Sequence, residues 1–294
     1  MSSVLKRGWV ATVLMGLVAG LTAAAPATAA SPGIQAMPSP LRFVSHLDLE
    51  CFKTNPYQPP QTAIFTRHLN PVLAHLPNET HVLGPREQLC VPVAKNNVLP
   101  PAGVLEFVRF VDLSCYKIQG ASVNTQLNLR HLNPQLQNLP PRNVYLTVPV
   151  QLCVPVIKNG LYPPPEIRQL AMYIDLKCYI EQPNAPLNIG LGLRHLNPVL
   201  ANLPAHEARV TYNRQLCVPV QKNNQPIPPE VLNIVRWIDL EKFDIITPAL
   251  QAPFNLTINH LNPALAHLPT EQVQIQQATQ LMLPVAKNNV IPPA

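Results

Sequence analysis

The sequence predicts a mainly β protein built as four tandem small β-rich modules, the first three each closed by one disulfide within the module. Three observations predict it. One set of motifs recurs four times at offsets of 63 to 65 residues. Apolar and polar residues alternate with a period of two around the first cysteine of each of the first three copies, as in a half-buried strand. Cysteines come in pairs at the same two positions of the first three copies. The pattern leaves open whether the modules form a linear array or a closed ring.

Residues 1–30 read as a bacterial-type secretory signal. Lys6 and Arg7 give the positive start, Val10 to Leu21 the apolar stretch, and Ala27-Thr28-Ala29-Ala30 the small-residue cleavage site. The apolar stretch is too short for a membrane span. Cleavage near Ala29 or Ala30 and a freely released extracellular product are expected. A short Pro-rich segment, 31–41, precedes the repeats, which are bounded as 42–105, 106–168, 169–232 and 233–294.

Within each copy the elements follow one order. Asp48-Leu49-Glu50-Cys51-Phe52 returns as Asp112 to Tyr116, as Asp175 to Tyr179, and altered as Asp239-Leu240-Glu241-Lys242-Phe243. This is the first strand. Leu47, Leu49 and Cys51 lie on one face, and the aspartate lies on the other with an aromatic four residues on: Tyr116, Tyr179 and Phe243. Two residues before the aspartate stand His46, Phe110, Tyr173 and Trp237. A second strand, as in Thr125 to Arg130 or Asn255 to Asn259, leads into His-Leu-Asn-Pro at His68, His131, His195 and His260. The third, as in Val144 to Val154, leads into Gln-Leu-Cys-Val-Pro-Val at Gln88, Gln151 and Gln215, with Gln280 to Val285 as the fourth version. The proline there marks an edge or a strand end, because it cannot donate to a ladder. Lys95, Lys158, Lys222 and Lys287 close the units. Segments such as Val199 to Leu203 suit a single helical turn, and nothing longer is expected.

Six cysteines allow fifteen pairings, but the repeat narrows them. The fourth copy has lost both of its cysteines, to Lys242 and Met282, as a bond within each copy predicts. The expected pairs are Cys51–Cys90, Cys115–Cys153 and Cys178–Cys217. A thiolate metal site would need the close Cys-x2-Cys spacing that zinc prefers, and the sequence lacks it.

Cys115-Tyr116-Lys117 and Leu152-Cys153-Val154-Pro155-Val156-Ile157-Lys158 resemble the opening and closing elements of an uncharacterised family of tandem repeats in exported bacterial proteins. The resemblance covers roughly residues 43–294 and implies an extracellular β-rich repeat; it implies no activity.

Composition limits the function classes. Without Lys6 and Arg7, 19 basic side chains face 15 acidic ones, a balance of +4, and they are scattered singly. A nucleic-acid footprint would be a clustered patch. Only 12% of residues are charged and 47% are hydrophobic, so the chain buries a core beneath a surface of amides and hydroxyls. No Gly-x-Ser-x-Gly, His-Glu-x-x-His or glycine-rich phosphate loop occurs, so no catalytic residue and no cofactor is expected. The four histidines would converge on a metal if the units closed around an axis. Asn-Pro starts a turn, however, so a structural hydrogen-bonding role is the simpler reading and no metal site is expected. The recurring aspartates and lysines suit one structural ion pair per copy. The reading that follows is a secreted, non-catalytic repeat protein binding an extracellular polysaccharide or protein. Tyr116, Tyr179 and Trp237, with Asp112, Asp175 and Asp239, are the candidate contacts. A self-associating surface-layer or matrix component is the alternative, and an enzyme of unrecognised type a further one.

Overall fold

The computed structural model describes residues 36–294, so the expected secretory signal and its expected cleavage site lie outside the described residues. The chain is mainly β. The first segment contributes α1 (Pro40–Val44), β1 (Leu49–Tyr57), β2 (Ala63–His68), β3 (Glu79–Val82) and β4 (Arg86–Lys95). The second contributes α2 (Leu105–Val108), β5 (Asp112–Lys117), β6 (Thr125–His131) and β7 (Arg142–Lys158). The third contributes α3 (Pro165–Ala171), β8 (Leu176–Gln182), β9 (Pro186–His195) and β10 (His206–Lys222). The fourth contributes α4 (Pro229–Val235), β11 (Leu240–Ile246), β12 (Phe254–His260) and β13 (Glu271–Lys287).

One large sheet takes in strands of all four segments, in place of the expected series of separate modules. The cause lies in the first strand of each segment, which is paired on both sides. β1 pairs with β4 and with β13, β5 with β4 and β7, β8 with β7 and β10, and β11 with β10 and β13, all antiparallel. These eight ladders return to their starting strand, so the core is a closed eight-stranded barrel with no free edge. The prolines of the Cys-Val-Pro-Val runs face the start of the partner strand, as in Leu49↔Pro92 and Leu176↔Pro219, or the residue after it, as in Leu113↔Pro155, so the missing donor falls at or next to the end of the ladder.

The helices depart from the expectation of nothing longer than one turn, since α3 and α4 each run seven residues. Proline stands in the first helical turn of α1, α3 and α4, where its absent N–H would have no intrahelical partner anyway. Phe43, Phe107, Leu170 and Ile234 from the four helices pack with Leu49, Leu113, Leu176 and Leu240 in the same apolar core as the cysteines.

Disulfides join Cys51 to Cys90, Cys115 to Cys153 and Cys178 to Cys217, each between residues directly opposite in register on neighbouring strands. The same register sets Lys242 opposite Met282 in the fourth segment. The Lys242 ammonium is fully buried and donates to the Oε1 atoms of Gln88 (3.0 Å) and Gln151 (2.7 Å). Burial pulls its pKa down to about 7.

A second layer lies outside the barrel. Here β9 and the first half of β10 form a hairpin, and the end of β9 adds to β4 through His195↔Val93. Likewise β2 adds to β10, β6 to β13 and β12 to β7.

Candidate functional site

The recurring aspartates sit where the first strands begin, and each is buried in an ion pair with a recurring lysine: Asp48–Lys95, Asp112–Lys158, Asp175–Lys222 and Asp239–Lys287. The asparagine of His-Leu-Asn-Pro from another segment completes each pair. The Nδ2 of Asn133 donates to Asp48 at 2.9 Å, Asn197 to Asp112 at 2.7 Å, Asn262 to Asp175 at 3.5 Å and Asn70 to Asp239 at 2.9 Å. The Oδ1 of the same asparagines accepts from the backbone N–H two residues on, which fixes the following turn. Asn-Pro therefore starts a turn as expected, and its amide also links the segments in a cycle.

This geometry overturns Asp112, Asp175 and Asp239 as ligand contacts: their carboxylates are consumed by lysine and asparagine inside the fold. Tyr116 and Tyr179 are fully buried as well. The Tyr116 hydroxyl donates to Glu271 Oε1 at 2.5 Å, and the Tyr179 hydroxyl lies 3.0 Å from His68 Nε2. Trp237 is half-buried against the helix-packed core, with the Arg236 guanidinium 5.6 Å from its ring centre. Tyr116 and Tyr179, being buried, offer no surface for a ligand to stack on, whereas Trp237 is half-buried.

The four recurring histidines do not converge. Each packs in its own niche on the outer face of the barrel, beside the residue between the leucine and the cysteine position of a first strand and near the residue 11 positions after itself. His131 lies 3.8 Å from Glu241, which is paired with Arg142. His68 bonds Tyr179 in the niche where Lys177 pairs with Glu79. His260 lies 3.3 Å from Glu271, which is paired with Arg86. In these three niches a lysine or arginine neutralises the acid. Burial drives the pKa of His68 down to about 3 and that of His131 to about 4, so both rings are neutral.

The fourth niche differs. Glu50 is fully buried, and its only ion-pairing partners among the described residues are two imidazoles: His206 Nε2 at 2.8 Å from Oε1 and His195 Nε2 at 3.6 Å from Oε2. The Oε2 atom accepts no hydrogen bond. The Glu50 hydrogen bond raises the pKa of His206, whereas burial lowers that of His195 to about 3. Desolvation raises that of Glu50. The ligand-capable atoms of these three side chains lie within 4.8 Å of one another.

His195 and His206 also line a recess of about 710 Å³ bounded by Phe52 of β1, Ala278 of β13, the β9–β10 hairpin and the loop that follows β11. Its walls are mostly apolar, with Phe52, Leu203 and Leu250, and carry amides at Asn97 and Asn202. Sequence reasoning missed Glu50, His206 and this recess. The signal was present as a break in the pattern: His206 stands where the other copies have Glu79, Arg142 and Glu271, and Glu50 where they have Ser114, Lys177 and Glu241. In comparisons with known proteins, no family model, no curated protein and no solved structure matches the chain.

Proposed function

We propose that this chain is an exported, non-catalytic binding protein made of four copies of one unit, and that it takes an extracellular ligand in the recess beside His195 and His206. The recess carries the reading: it lies against the one niche whose buried acid lacks a lysine or arginine. Its size and its mixture of apolar wall and amides suit a small molecule or the end of a polysaccharide or protein chain. The secretory pattern of residues 1–30, the resemblance to exported bacterial repeats and the three disulfides support export, because such bonds persist in oxidising compartments. Retention of the purified protein on insoluble cell walls, chitin and cellulose tests it. Retention on one matrix, lost in a Leu250→Arg variant that puts a charged side chain into the recess, is the expected result. Equal retention of both proteins would move the site elsewhere, and none on any matrix would remove the adhesive reading.

A second reading is self-association. The turns after β4, β7 and β13 expose Val98 and Leu99, Leu161 and Tyr162, and Val290 and Ile291 at equivalent places. Sedimentation velocity checks it: a monomer at every concentration would dismiss it.

A further inference from the structure

We propose that Glu50, His195 and His206 form a binding site for one divalent transition-metal ion, with Zn²⁺ as the best-matched member of the class. The inference goes beyond ligand binding in the recess and does not depend on it.

Four observations carry it. Two imidazole nitrogens and one carboxylate are a donor set suited to zinc and its neighbours, whereas calcium and magnesium select all-oxygen sites. The donor atoms are close enough to share an ion. In a tetrahedral zinc site they would stand about 3.4 Å apart, given metal–ligand bonds of about 2.0–2.1 Å. Here the carboxylate lies 2.8 and 3.6 Å from the two nitrogens, so a small shift of the half-buried His206 ring closes the set.

The third observation is charge. An ionised carboxylate is costly to bury without a counter-charge, and the equivalent niches supply Arg142, Lys177 and Arg86. Glu50 has only imidazoles, and its Oε2 is left without a donor. An ion at that place supplies the missing positive charge and occupies the orphaned oxygen.

The fourth is support for the ring. His206 Nδ1 lies 3.3 Å from the Pro204 carbonyl oxygen. A proton on Nδ1 would be held there, leaving the Nε2 lone pair directed at the metal, which is the usual outer contact of a metal-bound histidine. His195 is held differently, by packing on Phe52 at 5.6 Å between ring centres. Three protein ligands would leave at least one coordination position open, and both histidines line the recess, through which a further ligand could reach the ion.

The test is titration of the disulfide-intact protein, stripped with EDTA and dialysed, with ZnCl₂ by calorimetry and with CoCl₂ by visible spectroscopy. One Zn²⁺ per chain is expected, together with Co²⁺ d–d bands of low coordination number. Glu50→Gln and His206→Asn should each weaken Zn²⁺ binding by at least about 100-fold, since loss of even an outer contact costs about 10–100-fold. His75→Ala and His267→Ala, at exposed histidines, should leave it unchanged. Circular dichroism verifies the fold of each variant, and His206→Asn carries the test if Glu50→Gln fails to fold. Absence of saturable binding, full affinity in a folded Glu50→Gln or His206→Asn protein, or loss of binding in the surface variants would overturn the assignment.

Discussion

Replacing Lys242 by methionine should stabilise the protein at acid and neutral pH, by an amount that shrinks as pH rises. The Lys242 ammonium lies wholly inside the barrel with only amide oxygens as partners, and burial lowers its pKa from 10.5 to about 7. The unfolded chain therefore binds this proton more tightly than the folded one. Stability is lowest below pH 7, where the folded state must bury the charge, and recovers between pH 7 and 10.5. A shift of that size corresponds to about 5 kcal/mol between the two limits. Between pH 6 and pH 9 the same linkage gives about 3 kcal/mol. Methionine does not titrate, so the gap between Lys242→Met and the parent should narrow by that amount over this range. Other titrating groups are common to both proteins and cancel in the difference. Urea unfolding at four pH values reads it directly, and the six cysteines are all paired, so no thiol is present to start exchange at the alkaline end. A difference independent of pH would refute a charged, desolvated lysine at this position.

Further outcomes follow from the same registers. Lys242→Cys with Met282→Cys should form a fourth disulfide, because these residues face each other as the three native pairs do. Closing that loop should add about 4 kcal/mol on the chain-entropy view, read as a raised urea midpoint that reductant abolishes. Asn133→Ala removes a donor from buried Asp48 and the cap of its own turn, and should cost about 1–3 kcal/mol in urea unfolding; no loss would mean that the asparagine is not a tie between segments. Glu50→Lys alone should destabilise by about 3–5 kcal/mol as an uncompensated buried charge. Adding His206→Glu should restore most of that loss by copying the Lys177–Glu79 niche, and a double-mutant cycle showing no coupling would refute the charge-matching argument.

Strands and disulfides were legible in the sequence because both depend on local spacing. Leu49, Cys51 and their counterparts alternate with period two, and paired loss of both cysteines at Lys242 and Met282 identified the bonds. Closure was not legible. Cys115 faces Cys153 of its own segment and Gln88 of the preceding one, and nothing in a repeat says which neighbour takes a strand's free side. The helices escaped notice because four to seven residues give too few turns for a 3.6-residue period to emerge. The aromatic residues misled for a related reason. Period two assigns Asp112 and Tyr116 to the face opposite the cysteines, and that face would be wet in a lone module. Here a second layer of hairpins covers it, so a polar stripe became a buried network.

The same covering explains why function concentrates where the repeat breaks. In three of the four histidine niches beneath the second layer an acid is matched by a lysine or arginine, and the matching is done by pairs of positions rather than by fixed residues. Glutamate faces arginine at Glu241–Arg142, and the signs are reversed at Lys177–Glu79. Where Ser114 removes one charge, Glu271 finds Arg86 instead. A niche obeying this rule is electrically closed and offers nothing to a ligand. Glu50 meets the rule only through His206, whose charge depends on its protonation, and through an imidazole kept neutral by burial. An open recess lies directly against that niche. Of four equivalent places, this is the one whose electrostatics an incoming ion or ligand can complete.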